Sequence, residues 1–258
     1  GSAVADDPLA LGPAALGSAA LGPVCAEPIG DAELQGIFGA AAPQPQRWVL
    51  AVSGGADSVA LMALVRRWID ARETGTGQAP LSGCVVATVD HGLRSESAEE
   101  ARWVGERARS LGFEHHTLAW SGPKAATGIQ AAARDARYRL LGNFAQQLGG
   151  AWHIVTAHHL DDQIETFFMR LARGSGIDGL TGMSTQVALT FQDDGGSAIP
   201  VSIVRPMLWL PKARLVATLR HQGLDWLEDP SNQNAAFERV RWRRLMPLLA
   251  AEGLTTDQ

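Results

Sequence analysis

At the start of the chain's first regular pattern, Ser53-Gly54-Gly55-Ala56-Asp57-Ser58 gathers the parts needed to hold an anion. Two glycines let the backbone approach closely, while hydroxyls and the free N–H groups of a helix N-terminus supply donors. The apolar run Arg47–Val52 reads as a buried strand and Asp57–Arg72 as a helix, so the loop lies at the carboxyl end of a strand, where α/β sheets place ligands. The segment reads as a phosphate cradle. It is not a Walker A loop, because neither GxxxxGKS nor GxxxxGKT occurs in the chain. Asp57 adds a demand: a carboxylate beside phosphate calls for a cation such as Mg2+ between them. A plain Gly-Gly turn capped by Asp57 or Ser58 is the simpler alternative.

A second cluster, His158-His159-Leu160-Asp161-Asp162, falls where the strand Trp152–Thr156 feeds the helix Asp161–Arg173, on the same sheet edge as the cradle. Carboxylates at a helix N-terminus are favoured in their ionised form, which suits Asp162 to a metal or other cation, with His158 four residues before it and Asp161 as the helix cap. Which of His158 and His159 faces the ligand is open, and a zinc site lacks an outlying ligand set. Asp90-His91 ends the second strand of the chain, Cys84–Val89, beside the cradle, either to meet adenine or ribose or as an ordinary turn. Arg134 and Arg137 stand i,i+3 on one helix face with Tyr138 beside them.

These residues need elements to position them. Strands Arg47–Val52, Cys84–Val89, Phe113–Leu118 and Trp152–Thr156 alternate with helices Asp57–Arg72, Ser97–Leu111, Ile129–Leu148 and Asp161–Arg173. That rhythm predicts an α/β fold with a parallel sheet covered on both faces. The last of these helices carries Ile164, Phe167, Phe168 and Leu171 on one stripe. After Met183, Gln186–Phe191 and Ile199–Val204 flank Asp-Asp-Gly-Gly as a hairpin. Helices Pro211–Gln222 and Phe237–Ala250 follow, the latter interrupted at Pro247.

Residues 1–30 read as an unstructured Ala/Gly/Pro-rich leader that opens on Gly1-Ser2, an apparent expression scar. Residues 31–183 read as the catalytic domain and 184–258 as a hairpin and helical extension completing its core. The net charge of −5 belongs to the leader region, since residues 1–46 hold five acids and no Lys or Arg. Twenty of the 22 basic residues are Arg, and eight basic residues against four acids fall between Arg205 and Arg244, a patch permissive for RNA phosphate. Cys25 and Cys84 form no CxxC and read as incidental reduced thiols of a cytoplasmic protein. No apolar run is long enough to span a membrane.

With VDHGLR (Val89 to Arg94), QAAARDARYRLL (Gln130 to Leu141), TAHHLDDQIETFFMRLARGSGIDGL (Thr156 to Leu180) and DWLEDPSNQNAAFERVRWR (Asp225 to Arg243), the sequence resembles the bacterial tRNA(Ile)-lysidine synthases from about Asp31 to Leu249. The cradle is similar to the pyrophosphate loop of the N-type ATP pyrophosphatases, the PP-loop superfamily. The resemblance implies a Rossmann-like, adenine nucleotide alpha-hydrolase-like domain that uses ATP and Mg2+ to attach free L-lysine to C2 of the wobble cytidine of a CAU-anticodon tRNA(Ile).

By that resemblance, Ser53, Gly54, Gly55, Ala56, Asp57, Ser58, Asp90 and His91 bind ATP, and Asp57 and Asp162 hold the metal. Asp57, Arg134, His158 and Asp162 are catalytic: Arg134 clamps the transferring phosphate, and Asp162 with His158 helps take a proton from lysine. Arg137, Arg173, Gly174, Asp229, Asn232, Arg239 and Arg243 meet substrate, with Arg173-Gly174 opening a glycine-rich loop near the nucleotide and incoming base. The oligomeric state stays open, a homodimer among the options. Many members continue into tRNA-gripping domains beyond the point where this chain ends, so weak tRNA binding is the expectation. Two rival readings are a tRNA C2-thiolation enzyme and a non-catalytic adenine-nucleotide-binding module.

Overall fold

The computed structural model describes residues 26–41, 46–77, 81–93, 95–121, 128–192, 196–228 and 238–251. The elements are α1 (Asp31–Leu34), continued by a wider turn over Gln35–Gly39, β1 (Gln46–Ala51), α2 (Ala56–Thr76), β2 (Leu81–Asp90), α3 (Ser97–Ser110), β3 (Glu114–Ala119), α4 (Ile129–Gln147), β4 (Trp152–Val155), α5 (Leu160–Ala172), a short 3-10 turn (Ile177–Leu180), β5 (Gln186–Gln192), β6 (Ala198–Val204), α6 (Lys212–His221) and α7 (Glu238–Ala251). They form one six-stranded sheet in the order β3-β2-β1-β4-β6-β5. All neighbouring pairs are parallel except β5 with β6, the expected hairpin, whose second strand lies beside β4.

Both faces of the sheet are covered, because alternate side chains of a strand point to opposite faces. Trp48, Leu50 and Val52 join a core with α1, α2, α3 and α6, whereas Val49 joins a second core with Tyr138, Leu141 and Phe144 of α4. Close approach of α4 to the sheet depends on Gly142, where a Cβ would meet Val201 Cγ2 at 2.6 Å. No helix among the described residues is long and apolar enough to cross a membrane.

Three expectations are corrected. The first helix does not end at Arg72; it runs to Thr76 and stops where Gly77 adopts φ +68° and its N–H bonds the Glu73 carbonyl, a terminus that only the glycine makes easy. The leader does not extend to residue 30: Ile29 is in the core, and its N–H donates to Thr218 Oγ1 at 2.8 Å. Residues 1–25 lie outside the described residues. The helix α7 continues through position 247, since a proline removes one N–H from a helix without necessarily ending it. The apolar stripe of α5 is only partly covered. Phe167 and Leu171 are exposed, Phe168 stacks on Trp242 of α7 at 5.6 Å, and the buried positions are Asp162 and Glu165.

Candidate active site

The strand order reverses at β1: β2 and β3 lie to one side of it, β4 and β6 to the other. The crevice at the carboxyl ends of β1 and β4 is the place where such sheets hold ligands. The Ser53–Ser58 loop follows β1 and the His158–Asp162 segment follows β4, so both flank this crevice.

The cradle is shaped by its own groups. Gly54 adopts φ +94°, and a Cβ there would meet Leu227 Cδ1 at 2.8 Å; the Leu227 N–H in turn donates to the Gly54 carbonyl at 2.9 Å. Ser53 N–H donates to Ser58 Oγ at 3.2 Å, and Ser58 Oγ donates to the Gly55 carbonyl at 2.9 Å. Gly55 precedes α2 in an extended conformation and Ala56 opens the helix. The helix N-terminus therefore faces the crevice with Asp57 in its first turn.

One oxygen of Asp57 is shared by two cations, and the other has none. Oδ2 lies 3.1 Å from Lys212 Nζ and 3.4 Å from His159 Nε2, whereas Oδ1 is buried without a hydrogen-bond partner. Burial alone would raise this carboxyl, but His159 and Lys212 outweigh burial and hold it below its ordinary value.

His159 is the hub. Its side chain is 1% exposed, with Nδ1 3.6 Å from Asp161 Oδ2 and Nε2 3.6 Å from Asp162 Oδ2. Burial disfavours its charge, yet Asp161, Asp57 and Asp162 together push it up to about 9. It is thus an imidazolium at neutral pH. Its backbone N–H donates to Asp162 Oδ2 at 3.1 Å, so His159 and Asp162 cap α5. The expected cap, Asp161, instead accepts the N–H of Lys212 at the start of α6, 2.9 Å away.

His158 has the opposite character. It is only partly buried, and its Nδ1 pairs with Thr156 Oγ1 at 2.8 Å. Burial takes it down to about 4 against the pull of Asp162, with Arg205, Arg134 and Arg239 reinforcing the shift. A neutral imidazole is therefore set among arginines at the crevice. Arg134 is exposed, with its guanidinium 5.2 Å from the Tyr138 ring centre. Arg137 is exposed on the next turn. Asp90 Oδ1 accepts the Gly92 N–H at 2.8 Å and its carbonyl accepts the Trp120 N–H at 2.8 Å, while the His91 ring stands edge-on to Trp120.

The helix α7 runs antiparallel to α5. Arg243 Nε bonds Glu165 Oε1, with its NH2 group 3.7 Å from Asp162 Oδ1, and Arg239 Nε lies 3.8 Å from Glu165 Oε2. Burial raises the Glu165 carboxyl despite Arg243. At the other end of α5, Arg173 pairs with Glu238. Eleven residues at 1.5 Å rise put Arg173 about 16 Å from Asp162 along the helix. The structure therefore does not bring Arg173 and Gly174, where φ is +72°, to the cradle. Asp229 and Asn232 lie outside the described residues.

Sequence reasoning passed over Glu165, Lys212 and the buried Arg205, whose NH1 group donates to the Ser184 carbonyl at 2.7 Å. Glu165 was within reach, being one turn from Asp162. Lys212 gave no local signal, because its partner Asp57 is 155 residues away.

No cluster of three or more His, Cys, Asp or Glu side chains among the described residues forms a metal cage. Mg2+ beside phosphates needs only one or two carboxylates, and the buried, unbonded Oδ1 of Asp57 fits that requirement.

A model of the PP-loop domain family matches residues 30–249. The tRNA(Ile)-lysidine synthase of Rhodopseudomonas palustris is 53% identical over 205 residues, covering 80% of this chain and 55% of that protein. Its counterpart in a Bradyrhizobium species is 52% identical over 228 residues, covering 88% and 58%, and that of Ruegeria pomeroyi 41% over 217 residues, covering 84% and 48%. The chain thus spans about half the length of the curated relatives it matches. The U34-tRNA thiolase NcsA from Methanococcus maripaludis superposes with a TM-score of 0.66 at 13% identity, covering 88% of this chain and 73% of that one, which is a likeness of fold.

Proposed function

Because the chain belongs to the PP-loop domain family, we propose that it carries the catalytic chemistry of a tRNA(Ile)-lysidine synthase: ATP-dependent joining of free L-lysine to C2 of the wobble cytidine in a CAU anticodon. The observation that carries this reading is the shared crevice, which sets a phosphate cradle next to a carboxylate cluster containing one neutral and one charged histidine. Residues 31–183 hold this machinery, and 184–258 complete it through Lys212, Arg239 and Arg243. The setting is the cytoplasm.

In the first step the C2 oxygen of cytidine attacks the α-phosphate of ATP and the bond to the β-phosphate breaks. The N–H groups and hydroxyls of Ser53–Ser58 receive the charge that develops on departing pyrophosphate. Arg134 faces the transferring phosphate, and Asp90 with His91 faces the nucleoside. Asp57 would hold Mg2+, with Asp162 as a dispensable second ligand whose own task is the proton of the second step, and the metal would supply Lewis-acid charge stabilisation to the phosphates. In the second step the lysine amine forms a bond to C2, and AMP departs with the former C2 oxygen. A free amine is needed although its reference pKa is about 10.4. Asp162 accepts from the ammonium and draws a proton off it, with His158, held neutral, as the partner that relays it. Arg239 and Arg243 hold the carboxylate pair in place and, with Arg137, border the polynucleotide. Arg173 and Gly174, at the far end of α5, fit a contact with tRNA better than one with ATP, and the resemblance adds Asp229 and Asn232 to the substrate-facing set.

A thiolation chemistry has less to work with. Cys84 is interior to β2 and burial pushes its thiol up to about 12, which suppresses the thiolate that sulfur transfer requires.

Pyrophosphate release should depend on tRNA(Ile). Asp57→Asn should lower that release by about a hundredfold, whereas Asp162→Asn should retain adenylation and lose lysine transfer. Pyrophosphate release that is indifferent to tRNA in the wild type would overturn the reading.

A further inference from the structure

Lys212 is one of two lysines in a chain whose other 20 basic residues are arginine. It opens α6, where its backbone N–H is fixed on Asp161 at 2.9 Å, and its Nζ reaches Asp57 Oδ2 at 3.1 Å. The root of the side chain is therefore anchored to the β4 loop while the ammonium lies over the cradle after β1. The side chain is 40% exposed. An ammonium is a flexible point charge, suited to changing partners, whereas a guanidinium fork is suited to holding one.

We propose that Lys212 is a phosphate-binding residue whose ammonium exchanges between Asp57 and a pyrophosphate oxygen as a divalent cation takes its place on the carboxylate. The inference rests on the ATP-pyrophosphatase reading of this site. Asp57 has one oxygen shared by cations and one buried without a partner. A divalent cation settling on this carboxylate competes with the ammonium. Pyrophosphate brings oxygens of its own to the same place, and the displaced ammonium then finds a stronger acceptor. Lys212 thereby couples metal occupancy to phosphate occupancy.

The test compares wild type with Lys212→Met, which keeps length and loses charge, and Lys212→Arg, which keeps charge. Each is checked for folding by thermal melting. Two binding constants are measured: Mn2+ alone, by its paramagnetic resonance signal, and pyrophosphate in saturating Mg2+, by calorimetry. Lys212→Met is expected to bind Mn2+ about fivefold more tightly and Mg2+-pyrophosphate at least about tenfold more weakly, with Lys212→Arg recovering most of the latter. Folded Lys212→Met with both constants unchanged overturns the proposal while leaving the ATP reading intact. Wild type that fails to bind Mg2+-pyrophosphate overturns both.

Discussion

Nε2 of His159 lies 3.4 Å from Oδ2 of Asp57 and so ties the loop after β4 to the loop after β1. The two residues are 102 positions apart in sequence, and an imidazolium buried between carboxylates holds their loops in register. Removing it leaves Asp57, Asp161 and Asp162 facing one another without that charge. His159→Asn is therefore expected to cost about 3 kcal/mol in urea unfolding, and to weaken nucleotide binding even in the folded fraction. A cost near that of an exposed substitution, about 0.5 kcal/mol, would show that the carboxylates do not need it.

The Arg243–Glu165 pair is a separate test, since the Glu165 side chain is 2% exposed. Arg243→Ala strands a buried carboxylate and should cost about 3 kcal/mol; Glu165→Gln should cost less. In a double-mutant cycle the two should couple by at least about 1 kcal/mol, and additive effects would remove the pair from the site's support.

At Gly54 the backbone disfavours a side chain, and Leu227 would have to shift to admit one. Gly54→Ala must bear φ +94° and displace Leu227, so about 2 kcal/mol of destabilisation and a loss of ATP affinity are expected. Unchanged ATP affinity in a folded variant would contradict the cradle.

Stability should depend on pH with opposite signs at two histidines. His115, whose Nε2 meets Thr88 Oγ1 at 2.9 Å, is held down to about 4 by burial, with Arg109 and His116 adding to the effect. Its folded value is below its unfolded value of about 6.5, so its contribution is complete above pH 6.5 and lost as pH falls toward 4. His159 is raised to about 9, so its contribution is complete below pH 6.5 and lost as pH rises through 9. Urea titrations should show an acid loss that His115→Gln reduces and an alkaline loss that His159→Asn reduces. Either substitution leaving its own limb unchanged would contradict the assignment.

The loop after β1, the histidines after β4 and the alternation of strands and helices were legible because each is local: a glycine pair, a helix start, a period of two or of 3.6. Ser53–Ser58 and His158–Asp162 could be placed on one sheet edge from connectivity alone. The stripe Ile164-Phe167-Phe168-Leu171 of α5 was legible as well, but not that the buried positions of that helix are polar. There the crevice takes the polar flank, and burial of Asp162 and Glu165 is compensated by Arg243 from a helix about 80 residues later. Lys212 escaped for the same reason. A pair joined only through the tertiary fold leaves no spacing to read.

The most direct measurement of the central claim is transfer of labelled lysine to unmodified tRNA(Ile) bearing CAU, with Mg2+-ATP and a methionine tRNA as control. Lysine should enter the isoleucine tRNA alone, and transfer should vanish in Asp162→Asn while tRNA-dependent pyrophosphate release persists. No lysine in either tRNA, with ATP bound and tRNA(Ile) adenylated, would contradict the assignment of lysine as the nucleophile.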